Sequence, residues 1–207
     1  MPQPPNDPAP ESPRRSRAQV WLVIGVFFVP LLAAFLLYYG APGWRPPGST
    51  NRGDLISPAR PLPAVELPRS NGDSLSIAAL QGKWTLVYVG DGQCDARCRE
   101  ALVLTRQTRL ALNKDVLRVQ RVFLATANCC DQSYLAAEHT DLITARVDNE
   151  AGQQLLSTFP EGAATGQRGR IYIVDPLGNL MMSYGPQAPH KGLLEDLKKL
   201  LRLSHIG

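Results

Sequence analysis

Cys94-Asp95-Ala96-Arg97-Cys98 is the stretch of this chain best equipped for chemistry. It follows an apolar run of strand length, 84–89, and a loose Gly90-Asp91-Gly92-Gln93 loop, and it leads into a helical pattern. The second thiol therefore falls in the first turn of a helix, where unpaired backbone N–H groups and the helix dipole favour thiolate. Thiolates so placed exchange disulfides or bind a soft metal such as Cu(I). A purely structural disulfide is the plainer alternative, but a loop this short gains little chain entropy from closure. Arg97 and Arg99 add positive potential that favours thiolate, whereas Arg106 and Arg109 read as a solvated helix face.

A second pair, Cys129-Cys130, follows another apolar run at 119–125. If the two runs are adjacent parallel strands, about 4.8 Å apart, both pairs emerge at one sheet edge, where open α/β sheets form ligand sites. One of Cys129 and Cys130 is then a small buried hydrophobe, a third soft metal ligand, or a resolving thiol. A disulfide between these immediate neighbours ranks last, because it closes a strained small ring. His139, His190 and His205 show no ligand spacing and read as surface residues. Gln167 and Arg168 could donate hydrogen bonds towards the Cys edge or simply belong to a loop. No Gly-rich phosphate loop, Ser/His/Asp grouping or paired-carboxylate signature stands out.

The elements that must position these residues are legible from periodicity. Runs at 64–67 and 74–77 flank Asn71-Gly72-Asp73 and read as a β-hairpin. After the strand at 84–89, residues 96–113 read as a helix with Ala101, Leu104, Thr108, Ala111 and Leu112 on one face. A strand at 119–125, a short helix at 132–138, a strand at 142–147 and a helix at 151–158 follow. Residues 171–174 and 180–184 are short strands joined by Asp175-Pro176-Leu177-Gly178-Asn179, which is turn chemistry. An amphipathic helix at 193–203 closes the chain. Alternating strands and helices predict an α/β domain: a mostly parallel sheet with an antiparallel edge hairpin and helices on both faces.

Residues 18–39 form an uncharged stretch of 22 residues. As a helix it spans roughly 33 Å, enough for a hydrocarbon core of about 30 Å. It is longer than a secretory h-region, and Tyr38-Tyr39 at its exit suits an interfacial anchor better than a cleavage site. Arg14, Arg15 and Arg17 crowd its N-terminal edge, so the positive-inside rule keeps residues 1–17, a Pro-rich disordered tail, in the cytoplasm. Residues 40–61 hold five Pro and four Gly and read as an extended linker, leaving 62–207 as one domain of ordinary size. The formal net charge of +4 resides mostly outside that domain: residues 1–61 carry six Arg against three acids, and 62–207 carry sixteen basic against fifteen acidic residues. A nucleic-acid footprint is therefore excluded. Four Cys beyond the anchor reach a compartment that permits disulfides.

The element order resembles the thioredoxin-like fold, and the strand–CxxxC–helix start together with Ile171-Tyr172-Ile173-Val174-Asp175-Pro176-Leu177-Gly178-Asn179 resembles the Sco/SenC family of membrane-anchored proteins. The resemblance covers roughly 62–205 plus the anchor. It implies copper binding through two Cys of a CxxxC motif and a distal His, and a part in maturing the copper centre of cytochrome c oxidase. Cys94 and Cys98 match the two Cys. The stretch where the family has its His is Thr165 to Arg170 here and contains none, and the family's Pro after the first Cys is Asp95. This is the pattern of a divergent branch.

Two functional expectations follow from the resemblance. The chain is an assembly factor in a bacterial inner membrane, its domain in the periplasm, with an oxidase subunit or another assembly factor as partner. It acts by thiol–disulfide exchange or Cu(I) transfer through Cys94 and Cys98, with Cys129 or Cys130 able to serve as a third Cu(I) ligand. The alternative is a redox-inactive binding module. Thioredoxin-type catalysis fits less well, since the spacing is CxxxC and no Pro precedes Ile171.

Overall fold

The computed structural model describes residues 13–40, 51–160, 169–204 and 206. Gln167, Arg168, His205, residues 1–12, and the 41–50 part of the expected linker lie outside the described residues. The chain divides into two compact units, Met1–Gly48 and Ser49–Gly207.

In the first unit, α1 (Pro13–Gly40) is a single helix. Its segment Arg17–Gly40 is long and apolar enough to cross a membrane. Trp21, Phe27, Leu31 and Tyr38 are among the large side chains it exposes, as a lipid-facing helix requires. The helix begins before the expected span and takes in residues 13–17, which composition alone assigns to a disordered tail. Pro13 suits a first helical position, where a missing N–H costs nothing.

The second unit is built on a sheet of six strands in the order β1-β8-β7-β4-β5-β6. These are β1 (Asp54–Pro61), β4 (Trp84–Gly90), β5 (Val119–Ala125), β6 (Leu142–Arg146), β7 (Ile171–Val174) and β8 (Asn179–Tyr184). β2 (Glu66–Pro68) and β3 (Ser74–Ser76) form the expected hairpin, with Gly72 at φ +90° in its turn. β4 is buried at every position, and its alternation divides it between two cores. Trp84, Leu86 and Tyr88 join Phe123 and residues of α2 (Ala96–Leu110) and α5 (His190–Leu203). Val87 and Val89 join the opposite core with Leu67, Leu75 and Leu155 of α4 (Glu150–Leu156). Helices therefore cover both faces, as expected of a thioredoxin-like fold.

Two features differ from the sequence reading. The sheet is mixed: β4–β5 and β5–β6 are parallel, while β4–β7, β7–β8 and β1–β8 are antiparallel. The β7–β8 hairpin is not an edge, because β1 covers it. β1 lies inside the stretch read as linker, with Asp54 opposite Ser183 and Pro61 opposite Asn179. Its two prolines are tolerated because this is an edge strand, where missing N–H groups break no ladder. Buried Asp196 fixes its start by accepting hydrogen bonds from the N–H groups of Arg52 (2.7 Å) and Gly53 (2.9 Å) and from the Tyr184 hydroxyl (2.8 Å).

Candidate functional site

The site grows from one registration. β4 and β5 run in parallel with Gly90 opposite Ala125. Cys94 and Cys129 each lie four residues beyond that pair, so both cysteine loops leave the sheet side by side. Thr126 N–H donates to the Gly90 carbonyl (2.9 Å), Gly92 N–H to Ala127 (2.8 Å), and Asp131 N–H to Gly92 (3.0 Å). Gly92 is required at this crossing: a Cβ there would collide with the Cα of Cys129 and the Asn128 carbonyl.

Cys94 and Cys98 are joined in a disulfide with a Cα separation of 5.0 Å. Cys98 is the third residue of α2, and Asp95 caps that helix by accepting from the Cys98 N–H (3.0 Å). Cys94 takes a positive φ of 52°, a conformation that costs about 1 kcal/mol or more for a residue other than glycine. Both sulfur residues are buried, at 1% and 2% exposure. The helix start is pressed into the core with Tyr88 and Ala101. A pocket lined by Tyr88, Asp91, Gln93, Asp95, Arg97 and Cys98 opens beside them. Burial, and then the Asp95 charge, push the Tyr88 hydroxyl up to about 12, partly opposed by Arg97, so it stays a neutral donor at this edge.

Cys129 and Cys130 are also joined to one another, contrary to the expectation that ranks this pairing last. Their peptide bond is cis and their Cα atoms are 3.0 Å apart. They are partly exposed and pack on the same core cluster as Cys94 and Cys98.

Arg99 ties the two loops together. Its Nε donates to the Cys94 carbonyl (3.2 Å) and its Nη2 to Asp131 (3.3 Å), the residue that caps α3 (Gln132–Glu138). Its guanidinium lies over the Tyr134 ring at 4.5 Å. Hydrogen bonds from Ser133 and from the Tyr134 N–H, together with Arg99, hold the Asp131 carboxyl below the ordinary range. Arg106 and Arg109 are not a free solvated face, since they pair with Glu138 and Asp141.

His139 is not a surface residue. It is 2% exposed, its Nε2 lies 2.9 Å from the Tyr134 hydroxyl, and its Nδ1 has no partner among the described residues. Burial, followed by the charges of Arg121 and Arg106, depresses its pKa. Sequence reasoning also passes over Arg121, which sits in a strand whose other residues, Gln120 apart, are apolar, and which is fully buried. Its signal is that oddity: a charge on the face shared with Val119 and Phe123 needs a partner, and Asp141 supplies it at 2.5 Å. His190 is exposed, 3.8 Å from Glu100.

A copper site of the two-Cys, one-His type does not fit these residues. His139 Nε2 is engaged by Tyr134, and each Cys pair would offer thiolates only in its reduced form. Among the described residues no three His, Cys, Asp or Glu side chains come together as a ligand set. Cys129 and Cys130, expected as the source of a third ligand, would offer a thiolate only after reduction of the bond between them.

The family model for a transmembrane-like, thioredoxin-like, C-terminal domain matches residues 84–204. No curated protein matches the chain at a significant level. Among solved structures, apo Sco1 from Thermus thermophilus is 20% identical with a TM-score of 0.59, over 73% of this chain and 98% of that one. ScoI from Arabidopsis thaliana with copper bound is 19% identical with a TM-score of 0.56, over 69% and 99%. BsSco, described as a member of the Sco family of cytochrome c oxidase assembly proteins with a disulfide switch, is 13% identical with a TM-score of 0.53, over 73% and 99%. At these identities the structures establish a shared fold, the one the Sco/SenC resemblance implies. The match over 84–204 establishes membership: the chain belongs to the family of transmembrane-like, thioredoxin-like C-terminal domains.

Proposed function

We propose that this chain is a membrane-anchored thiol–disulfide protein that serves the assembly of a haem–copper (cytochrome c) oxidase, with Cys94–Cys98 as its redox group. The observation that carries the reading is the position of this disulfide, at the carboxyl end of central strand β4 and across the first turn of α2. Open α/β sheets gather their functional groups at that edge. The solved relative BsSco, with its disulfide switch and its place among oxidase assembly proteins, supports the same reading. In this reading α1 crosses a bacterial inner membrane, the folded unit works in the periplasm, and the partner is an oxidase subunit or another assembly factor. Two electrons and two protons from a dithiol reduce Cys94–Cys98, and the resulting dithiol returns them to an oxidised partner. Copper transfer is not part of the proposal, since no third ligand joins Cys94 and Cys98 among the described residues.

A second reading is favoured by one observation: the near-complete burial of Cys94 and Cys98 suits a redox-inactive binding module. The double substitution Cys94→Ser/Cys98→Ser separates the two. Loss of oxidase maturation, read from the copper-centre absorbance and oxidase activity of membranes, supports the redox reading. Unchanged maturation assigns the chain to scaffolding.

A further inference from the structure

Two disulfides at one sheet edge differ in access. Cys94 and Cys98 are at most 2% exposed, whereas Cys129 and Cys130 are partly exposed. Thiol–disulfide exchange requires a thiolate to reach a sulfur, so access orders the rates. The two loops are also stitched together by the Gly92–Ala127 and Gly92–Asp131 hydrogen bonds and by the Arg99 bridge. Gly92 lies directly against Cys129, Cys94 follows two residues later, and all four cysteines belong to or pack on one core cluster, so the two pairs are neighbours at this edge.

We infer that Cys129–Cys130 is a second redox centre, the entry point through which an incoming dithiol reduces the buried Cys94–Cys98 disulfide. This rests on the redox reading of Cys94–Cys98. A thiolate of the dithiol attacks one sulfur of Cys129–Cys130, that bond breaks, and a mixed disulfide forms. The second thiol of the donor displaces it, leaving the donor oxidised and Cys129 and Cys130 as thiols. The Cys129 thiolate then attacks Cys94, which forms a Cys94–Cys129 bond and releases Cys98 as a thiol. Cys130 attacks Cys129, restores Cys129–Cys130 and releases Cys94. The net result moves two electrons and two protons from the donor to Cys94 and Cys98, and the second disulfide ends as it began.

The test uses oxidised full-length protein in detergent, reduced with dithiothreitol, quenched in acid, and alkylated for peptide mass spectrometry. In the wild type, alkylation at Cys94 and Cys98 follows reduction of the second pair. In Cys129→Ser/Cys130→Ser, reduction of Cys94–Cys98 slows by about tenfold or more, because direct access is all that remains. An unchanged rate overturns the relay while leaving the redox function of Cys94–Cys98 intact. A wild-type Cys94–Cys98 pair that dithiothreitol cannot reduce overturns both. A second variant guards against misfolding of the first: Cys98→Ser/Cys130→Ser leaves only Cys94 and Cys129, and mild oxidation links them. Failure to form that bond overturns the relay independently.

Discussion

Removing Asp141 destabilises this protein more than removing Arg121, its larger and more buried partner. Arg121 is fully buried, and it gives Nη2 to Asp141 Oδ1 at 2.5 Å and Nε to Oδ2 at 3.1 Å. Its Nη1 reaches the Leu102 carbonyl at 3.0 Å and Thr105 at 3.3 Å, which anchors β5 under α2. Asp141→Ala leaves a guanidinium in the core without a counter-charge, a loss of about 3–5 kcal/mol. Arg121→Met removes the buried charge and keeps an unbranched side chain in its place. The Asp141 side chain is 33% exposed and retains Arg109 at 3.2 Å, so water and that arginine still serve it. The remaining loss is an orphaned Leu102 carbonyl and the missing bonds, about 1–3 kcal/mol. In a unit of this size each kcal/mol moves Tm by about 2–4 °C, so Asp141→Ala lowers it by about 6–20 °C. Trp84, buried in the core, is the one tryptophan of Ser49–Gly207 and reports the melt. Burial pulls the Asp141 carboxyl upward, but the hydrogen bonds and charge of Arg121, with Arg109, outweigh it and hold the pKa low. Its contribution is therefore complete above about pH 4 and fades as pH falls through the depressed folded value. The gap between wild type and Asp141→Ala narrows in acid accordingly. Equal losses for the two variants, or a larger loss for Arg121→Met, would refute the buried-charge argument.

Two further outcomes follow from the same structure. His139 is held neutral, with its folded pKa below the ordinary imidazole value, so stability is full above about pH 6.5 and falls as pH drops towards the folded value; His139→Gln flattens that slope in urea titrations between about pH 7.5 and 5, and an unchanged slope assigns it to other groups. Alkaline phosphatase fused after Gly207 is active and green fluorescent protein fused there is dark, whereas the reverse pattern places the folded unit in the cytoplasm.

What is local and periodic was legible in the amino-acid order alone. The uncharged 18–39 run fixed an apolar helix, because every side chain along it is fit for lipid or core. β5 at Val119–Ala125, α3 at Gln132–Glu138 and β7 at Ile171–Val174 fall where periodicity places them. The Cys pair at the β4–α2 junction was equally plain, since strand, loop and helix start are contiguous. Tertiary structure decided what depends on residues far apart in the chain. β1 carries two prolines and a linker-like composition, and it becomes a strand only because β8 offers an open edge and Asp196, some 140 positions away, caps its start. The surroundings of Arg121 and His139 were invisible for the same reason: polar residues are read as exposed until their partners are known, and here those partners come from α2, α3 and the turn before β6. The pairing of Cys129 with Cys130, and the burial of Cys94 and Cys98, depend on how two loops pack across Gly92. That packing is set by the register of β4 against β5, and a one-dimensional reading places the loops near each other without fixing which sulfurs remain within reach of solvent.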